Sequence, residues 1–455
     1  MSTHDLPDSL LAAAERVRRG ERTPLDLVEA CLARIEAHDA QLAAWVLVDR
    51  EGALELARQR TKEAAAGQWR GPLHGLPLGI KDIVDVAGWP TEAGSPTRHG
   101  MLAAVDATLV TRLRAAGAIV LGKTVTTQFA CFDPPPTRNP WNLNHTPGGS
   151  SSGSAAAVAA GMCLAAIGSQ TGGSIVRPAS YCGIAGLKPT WGRVSVRGVL
   201  PVSFHLDHPG PLARRVGDLA LVLHVIAGAD PHDPLSSTMQ VDNYAAHLGR
   251  EAPPRLCVPA NAFWSGASPP LAAAVEAALW QLADQGAPIR RVELPLDFEE
   301  AAVMHRRIMA VEAAQVHHRG LAARPSDFGP QITALVEEGL ATTATDYAHA
   351  LERRLHFAHR AAALASEFDA LAMPATNTTA PASLDTTGDP RFNSVWSYAG
   401  LPVVSVPCGL AEGMPAALQF VGPPWGEAAL LAVAAWCERQ WGWHGRPSAL
   451  EEQTA

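Results

Sequence analysis

The sequence lacks a long apolar run, paired cysteines and any excess of positive charge, and each absence removes a class of function. The longest apolar stretch, Ala155 to Ile167, is mostly alanine and is broken by Gly161. Crossing a bilayer takes ~20 consecutive apolar residues, so no membrane partner is expected. The opening residues, Met1 to Asp5, show no positive segment leading into an apolar one, which argues against an export signal. None of the seven cysteines falls in a Cys-x-x-Cys pair, and no His-Glu-x-x-His motif occurs. The usual zinc and dithiol sites are thereby removed, and reduced thiols in a soluble cytoplasmic protein are the expectation. Lys and Arg total 36 against 44 Asp and Glu, a net charge of −8. Proteins that grip a phosphate backbone depend on clustered Lys and Arg, so nucleic acid is not expected as a partner. The one basic knot, Arg16, Arg18, Arg19 and Arg22, reads as the solvent face of a helix.

What the chain has is apolar content: 47% of its 455 residues are hydrophobic, enough for a large core. Thr23-Pro24 is an N-cap followed by proline at the first helical position, with Val28, Cys31, Leu32 and Ile35 at helical spacing behind it. Gly75 to Asp85 reads as a strand with Lys81 near its middle, and Ala107 to Ala116 as a helix closed by Gly117. Ala118 to Gly122, Ala370 to Met373 and Val403 to Val406 read as buried strands, and Ala428 to Trp436 as a helix. This alternation predicts an α/β fold, a sandwich with a mixed central sheet covered by helices on both faces. One domain over residues 1–455 is expected, its core at about 60–225 and 365–450 and a mostly helical cap at about 230–365.

Three short stretches carry chemistry. Gly148 to Ser154 has a linker's composition, yet it opens directly onto Ala-rich helical sequence, which a linker need not do. Glycines beside serines at a helix start place backbone N–H groups and hydroxyls close to a reacting atom. Thr171-Gly172-Gly173-Ser174 has the small residues of a turn whose successive N–H groups converge on an oxyanion. Lys81 is a cation inside an otherwise apolar strand; alone, such a lysine more often snorkels to water at a strand edge.

Together these stretches resemble the amidase signature family. The resemblance is carried by PGGSSSGSAAAVAAG and GSQTGGSIVRPASYCGIAGLKPT within Pro147 to Thr190, by the Lys81 strand, by Gly198 to Asp218 and by Tyr398 to Leu410. It is weakest between about 230 and 370. It implies a Ser–Ser–Lys triad with Ser174 as nucleophile, Ser150 as bridging serine beside a cis peptide bond, and Lys81 as general base. It further implies an oxyanion hole from the N–H groups of Thr171, Gly172, Gly173 and Ser174, and a supporting hydrogen bond from Ser151 to the lysine. No metal and no organic cofactor are implied. Such a lysine acts as base only where burial holds it neutral.

The sequence departs from the family pattern in two places. Gln170 stands where an acid is usual, which removes a negative charge that would hold Lys81 protonated, and Arg177 lies three places after Ser174 rather than two. Cys182 lacks the neighbouring Glu and Lys of a cysteine nucleophile. Asp207 and His208 fall in a segment the family uses structurally, which argues against a Ser-His-Asp triad. His305, His317, His318, His356 and His359 lie on predicted helices, where solvated or capping roles are expected.

The expected reaction is cleavage of C–N bonds in small amides, with carbamates (urethanes) and activated esters as further substrates, in a monomer or homodimer. The alternative is a glutaminase-type subunit of a tRNA-dependent amidotransferase. The loop Phe129 to His145, with Phe129, Cys131, Phe132 and Trp141, is expected to line an apolar substrate channel that excludes charged groups.

Overall fold

In the computed structural model, which describes residues 6–260, 263–447 and 450, the helix Pro24–Leu42 opens as its sequence predicts. Thr23 accepts from the N–H of Asp26, and Asp26 returns the bond to the N–H of Thr23. Two of the orphan N–H groups at the helix start are satisfied this way. Residues 1–5, read above as carrying no export signal, lie outside the described residues.

Among the described residues eleven strands form one sheet. In chain order they are β1 (Trp45–Val48), β2 (Pro77–Lys81), β3 (Ile119–Thr124), β4 (Ala165–Gln170), β5 (Ala185–Lys188) and β6 (His208–Ala213). They continue as β7 (Leu256–Pro259), β8 (Ile289–Val292), β9 (Ala370–Pro374), β10 (Val403–Ala411) and β11 (Met414–Val421). Across the sheet the order is β1-β3-β2-β4-β6-β5-β10-β11-β9-β7-β8. β2 runs parallel to both neighbours, β3 and β4, whereas β6, β5, β10, β11 and β9 pair antiparallel in turn. The sheet is mixed, and the α/β sandwich follows from how its strands are buried. Ile119 and Leu121 of β3 pack with Val28, Cys31 and Leu32 of the helix Pro24–Leu42. Val120, between them, packs with Leu109, Val110 and Leu113 of the helix Thr108–Ala115. Alternate residues of one strand thus face two helical layers, which explains near-continuous apolar strands.

The apolar run Ala155 to Ile167 is divided rather than continuous. The helix Ser152–Ala159 ends, Gly161 turns the chain at φ +70°, and β4 begins at Ala165. Every residue of that helix is buried. A Cβ on Gly153 would stand 2.2 Å from the carbonyl oxygen of Ala44 and 2.4 Å from the nitrogen of Val125. Only glycine admits this approach of backbone to backbone.

Two expectations require correction. Lys81 is the last residue of β2 rather than its middle, because Gly75 and Leu76 precede the strand and Asp82 to Asp85 follow it. The stretch 230–365 is helical over Pro269–Asp284, Phe298–Ala323, Pro330–Ala341 and Ala344–Ser366, but it also carries β7 and β8, which extend the sheet beyond β9. Both strands are only four residues long: β7, Leu-Cys-Val-Pro, is apolar but too short to stand out, and β8 exposes Arg290 and Arg291 and gives no apolar run in sequence. Among the described residues no helix is long and apolar enough to cross a membrane.

Candidate active site

Lys81, Thr124 and Gln170 are the last residues of the three neighbouring strands β2, β3 and β4. β2 is parallel to the other two, so their carboxyl ends open on one edge, where open α/β sheets collect their ligands. Two serine-bearing turns close over that edge. Ser150 precedes the helix Ser152–Ala159 and follows a cis peptide bond from Gly149. Ser174 precedes the short helix Val176–Tyr181.

Lys81 is fully buried, with Nζ 2.7 Å from Ser150 Oγ and 2.9 Å from Ser169 Oγ. Burial lowers its pKa from 10.5 to about 7, against the opposing pull of the Asp207 carboxylate and of Cys131. An ammonium loses its hydration in such a site, so the neutral amine gains. Among the described residues no carboxylate hydrogen-bonds the amine directly. Asp207 instead accepts from Thr171 Oγ1 at 2.5 Å and from the N–H groups of Val202 and Ser203, and burial pushes its own pKa up to about 6.

The turn Thr171–Ser174 is held by its side chains and its carbonyls. Gln170 is buried, and its Oε1 accepts from the N–H groups of Ile175 and Val176, at 2.9 and 3.0 Å. A neutral amide therefore supplies the turn's acceptor, which needs an oxygen rather than a charge. Ser397 Oγ donates to the Gly172 carbonyl at 2.7 Å, and the Thr171 carbonyl faces His305 Nε2 at 3.0 Å. Among the described residues the backbone N–H groups of Thr171, Gly172, Gly173 and Ser174 meet no acceptor. Four donors thus remain for a ligand oxygen.

Arg177 ties the two turns together: its Nη2 donates to the Gly149 carbonyl at 2.7 Å and to Thr387 Oγ1 at 3.3 Å. The side chain is buried, and Nε and Nη1 have no partner among the described residues. Ser174 Oγ makes no hydrogen bond among the described residues, to Ser150 or otherwise. A small cavity lies over Ser174, bounded by the turn Thr171–Gly173, Cys131, Phe132, Arg177 and Met309.

The structure thus brings together Lys81, Ser150 and Ser169, and sets Arg177, Cys131 and Phe132 beside Ser174. Other expected site residues lie elsewhere. Ser151 does not reach the amine; its Oγ bonds the backbone of Ser169, 3.2 Å from both N and O, and it is Ser169 Oγ that touches Nζ. Phe129 is buried against the rings of His317 and Phe328 and is not among the residues that bound the cavity. Trp141 stacks on Trp443 and donates to the Cys182 carbonyl, beside a different cavity lined by Arg214 and Arg215. Both rings were expected in the channel because they share the loop; the chain turns each into a separate packing site.

His305 and His317 are buried, not solvated, since the helix Phe298–Ala323 turns them inward. His208 Nδ1 faces the carbonyls of Leu206 and Gln170, and burial depresses its pKa well below the usual value, so it stays neutral. Cys182 is buried and its thiol pKa is raised by desolvation, which makes it a poor nucleophile. No group of three His, Cys, Asp or Glu among the described residues is placed to hold a metal ion.

Ser169 and Met309 are site residues that the sequence did not single out, whereas Asp207 and His305 were noted there but expected to be structural and solvated or capping, respectively. Ser169 carried one usable signal, a lone hydroxyl at the end of an apolar strand. Met309 comes from a segment remote in sequence and carried none.

The family model described as Amidase matches residues 26–431. The chain is 38% identical to a glutamyl-tRNA(Gln) amidotransferase subunit of Roseiflexus castenholzii, over 97% of this chain and 98% of that one. It is also 38% identical to an amidase of Pseudomonas putida, over 97% of this chain and 98% of that one. Among solved structures, native peptide amidase from Stenotrophomonas maltophilia superposes with a TM-score of 0.85 at 34% identity, covering 96% of this chain and 98% of that chain.

Proposed function

The chain belongs to the Amidase family of hydrolases acting on amides, and on that premise we propose that it cleaves the C–N bond of small amides through an acyl-enzyme on Ser174. One observation carries the proposal: a fully buried lysine with its pKa lowered to about 7 lies 2.7 Å from Ser150 Oγ, at the strand ends where the turn before Ser174 leaves its N–H groups unpaired. As Ser174 Oγ attacks the carbonyl, its proton passes to Ser150 while Ser150 gives its own to Lys81. The tetrahedral oxyanion is stabilised by the N–H groups of Thr171 to Ser174. The path then reverses to protonate the leaving amine, and water enters to release the acid. Ser150 and Ser174 are not hydrogen-bonded in the free protein, as is common before a substrate tightens the site.

Carbamates and activated esters present the same carbonyl and fall within the proposed range. A carbamate would leave a carbamoyl-enzyme that hydrolyses to amine and CO₂.

Arg177 alters the expected substrate class. It borders the cavity over Ser174, and its Nε and Nη1 are buried without a partner among the described residues. An unpaired buried cation is costly, so a ligand oxygen brought against it gains. We therefore favour acyl groups bearing a carboxylate or carbonyl acceptor over wholly apolar ones. A panel of acidic amides, aliphatic amides, anilides, esters and urethanes tests the range, with the released amine or alcohol measured. The acidic amides are expected to be turned over best. A strict preference for apolar anilides overturns the role given to Arg177, and no turnover of any member overturns the hydrolase.

The amidotransferase similarity keeps a second assignment in view, in which the same site releases ammonia from an amide for a partner chain. Turnover by the isolated chain, run as a single species on size exclusion, favours the stand-alone hydrolase.

The pH profile follows from Lys81. The base is competent only when neutral, so kcat/KM is expected to rise about tenfold per pH unit below about 7 and to level above it. Asp207, near 6, ionises on the same limb; once protonated it no longer raises the Lys81 pKa, which makes the limb shallower at its acid end. A flat profile between pH 5.5 and 9 would point to a different base.

A further inference from the structure

The helix Phe298–Ala323 lies far along the chain from the turn before Ser174, His305 being 134 residues from Thr171, yet it reaches that turn at successive turns of one face. His305 meets the Thr171 carbonyl at 3.0 Å. Met309, four residues on, bounds the cavity over Ser174. Glu312, three further on, is buried and accepts from Ser203 Oγ, from His205 and from Tyr347 OH. Residues at i, i+4 and i+7 share a helix face. Glu312 thereby pins the loop from which Asp207 grips Thr171 Oγ1, so this one helix holds Thr171 from two sides.

The direct contact has a consequence for the N–H groups. A peptide unit is planar and trans, with its C=O and N–H pointing in opposite directions. Fixing the Thr171 carbonyl therefore fixes the direction of the Gly172 N–H. Ser397, donating to the Gly172 carbonyl at 2.7 Å, does the same for the Gly173 N–H. His305 is suited to the task. It is 5% exposed, and burial with the charges of Arg306 and Arg354 holds its pKa down to about 4. The ring is accordingly neutral, and with a carbonyl as its partner Nε2 carries the proton and donates. Gly172 itself leaves room: a Cβ there would lie 3.6 Å from His305 Cε1.

We propose that His305 is a positioning residue for the oxyanion donors: it aims the Gly172 N–H by holding the Thr171 carbonyl, and so brings a helix remote in sequence into catalysis. The inference rests on Ser174 acting as nucleophile. Removing an oxyanion donor outright costs about 10²–10³-fold in kcat; misaiming one is expected to cost less.

The test uses the full chain with His305→Leu, His305→Gln and His305→Asn. The Leu variant is expected to lose ~10–100-fold in kcat with KM changed less than about threefold, and to bind a boronic acid that forms a tetrahedral adduct on Ser174 weaker by the same factor. Gln, which restores a donor at similar reach, is expected to keep kcat within about fivefold of the parent; Asn, shorter by one bond, is expected to follow Leu. A structural role alone lowers the melting temperature and leaves kcat and boronate affinity of the folded protein untouched. That result, in Leu or in Asn should Leu not fold, overturns the proposal. Ser174→Ala run alongside separates the failures: activity surviving in it sinks the nucleophile, whereas activity lost in it but intact in the His305 variants sinks the positioning role alone.

Discussion

Ser174→Ala is expected to lower kcat/KM by about 10⁴-fold or more while leaving the fold and substrate affinity nearly unchanged. Ser174 Oγ has no hydrogen-bond partner among the described residues whose loss would destabilise the turn. Its neighbours are fixed by other groups: Gln170 caps Ile175 and Val176, and Arg177 ties back to Gly149. The hydroxyl can thus be deleted at small structural cost, and almost the whole effect falls on kcat. Single-turnover assays with a chromogenic amide or ester check this, together with loss of covalent labelling by a fluorophosphonate. Residual activity above about a thousandth of the parent's would assign the nucleophile elsewhere, since a site missing its nucleophile keeps only binding and oxyanion stabilisation.

Lys81→Ala is expected to be nearly as severe, and Lys81→Met equally so. The double variant with Ser174→Ala should be no worse than either single one, because base, relay and nucleophile act as a unit. Stability separates chemistry from packing here. The amine's pKa is lowered on folding from 10.5 to about 7, so between those values the unfolded chain binds more protons than the folded one. Stability therefore rises with pH across roughly pH 7 to 10, and the cost of burying the amine is felt in full below about 7. Lys81→Met keeps the side-chain volume and removes the titration. Its unfolding free energy should lose that upward slope, as read by urea denaturation at pH 7 and pH 9. An unchanged slope would mean that the amine is not depressed, and with it the general base would fail.

The parts of this molecule legible in sequence are those whose signal is local. The N-cap at Thr23, the Ala-rich helix after the serine run and the strands at β3, β9 and β10 each announce themselves within a few residues, through capping chemistry or periodicity. Lys81, Ser150 and Ser174 were singled out through the resemblance to the amidase signature family; read locally, the serine run has a linker's composition and the lysine fits a strand edge. What sequence did not give is what sheet register and tertiary contact decide. Ser169 meets Nζ because β4 lies beside β2, and His305 meets Thr171 across 134 residues of chain. Trp141 shows the opposite error: nearness along the chain to Cys131 suggested a shared pocket, but the turn between them carries its ring to Trp443.

The single guanidinium that spans the segments before Ser150 and after Ser174 also bears on redesign. A graft of either segment into another scaffold, or an exchange with a homologue, inherits half of a clasp. Donor and recipient must be swapped together with Thr387, as one cassette, and the freedom to retune selectivity lies instead in Met309 and Phe132, which border the cavity without anchoring it.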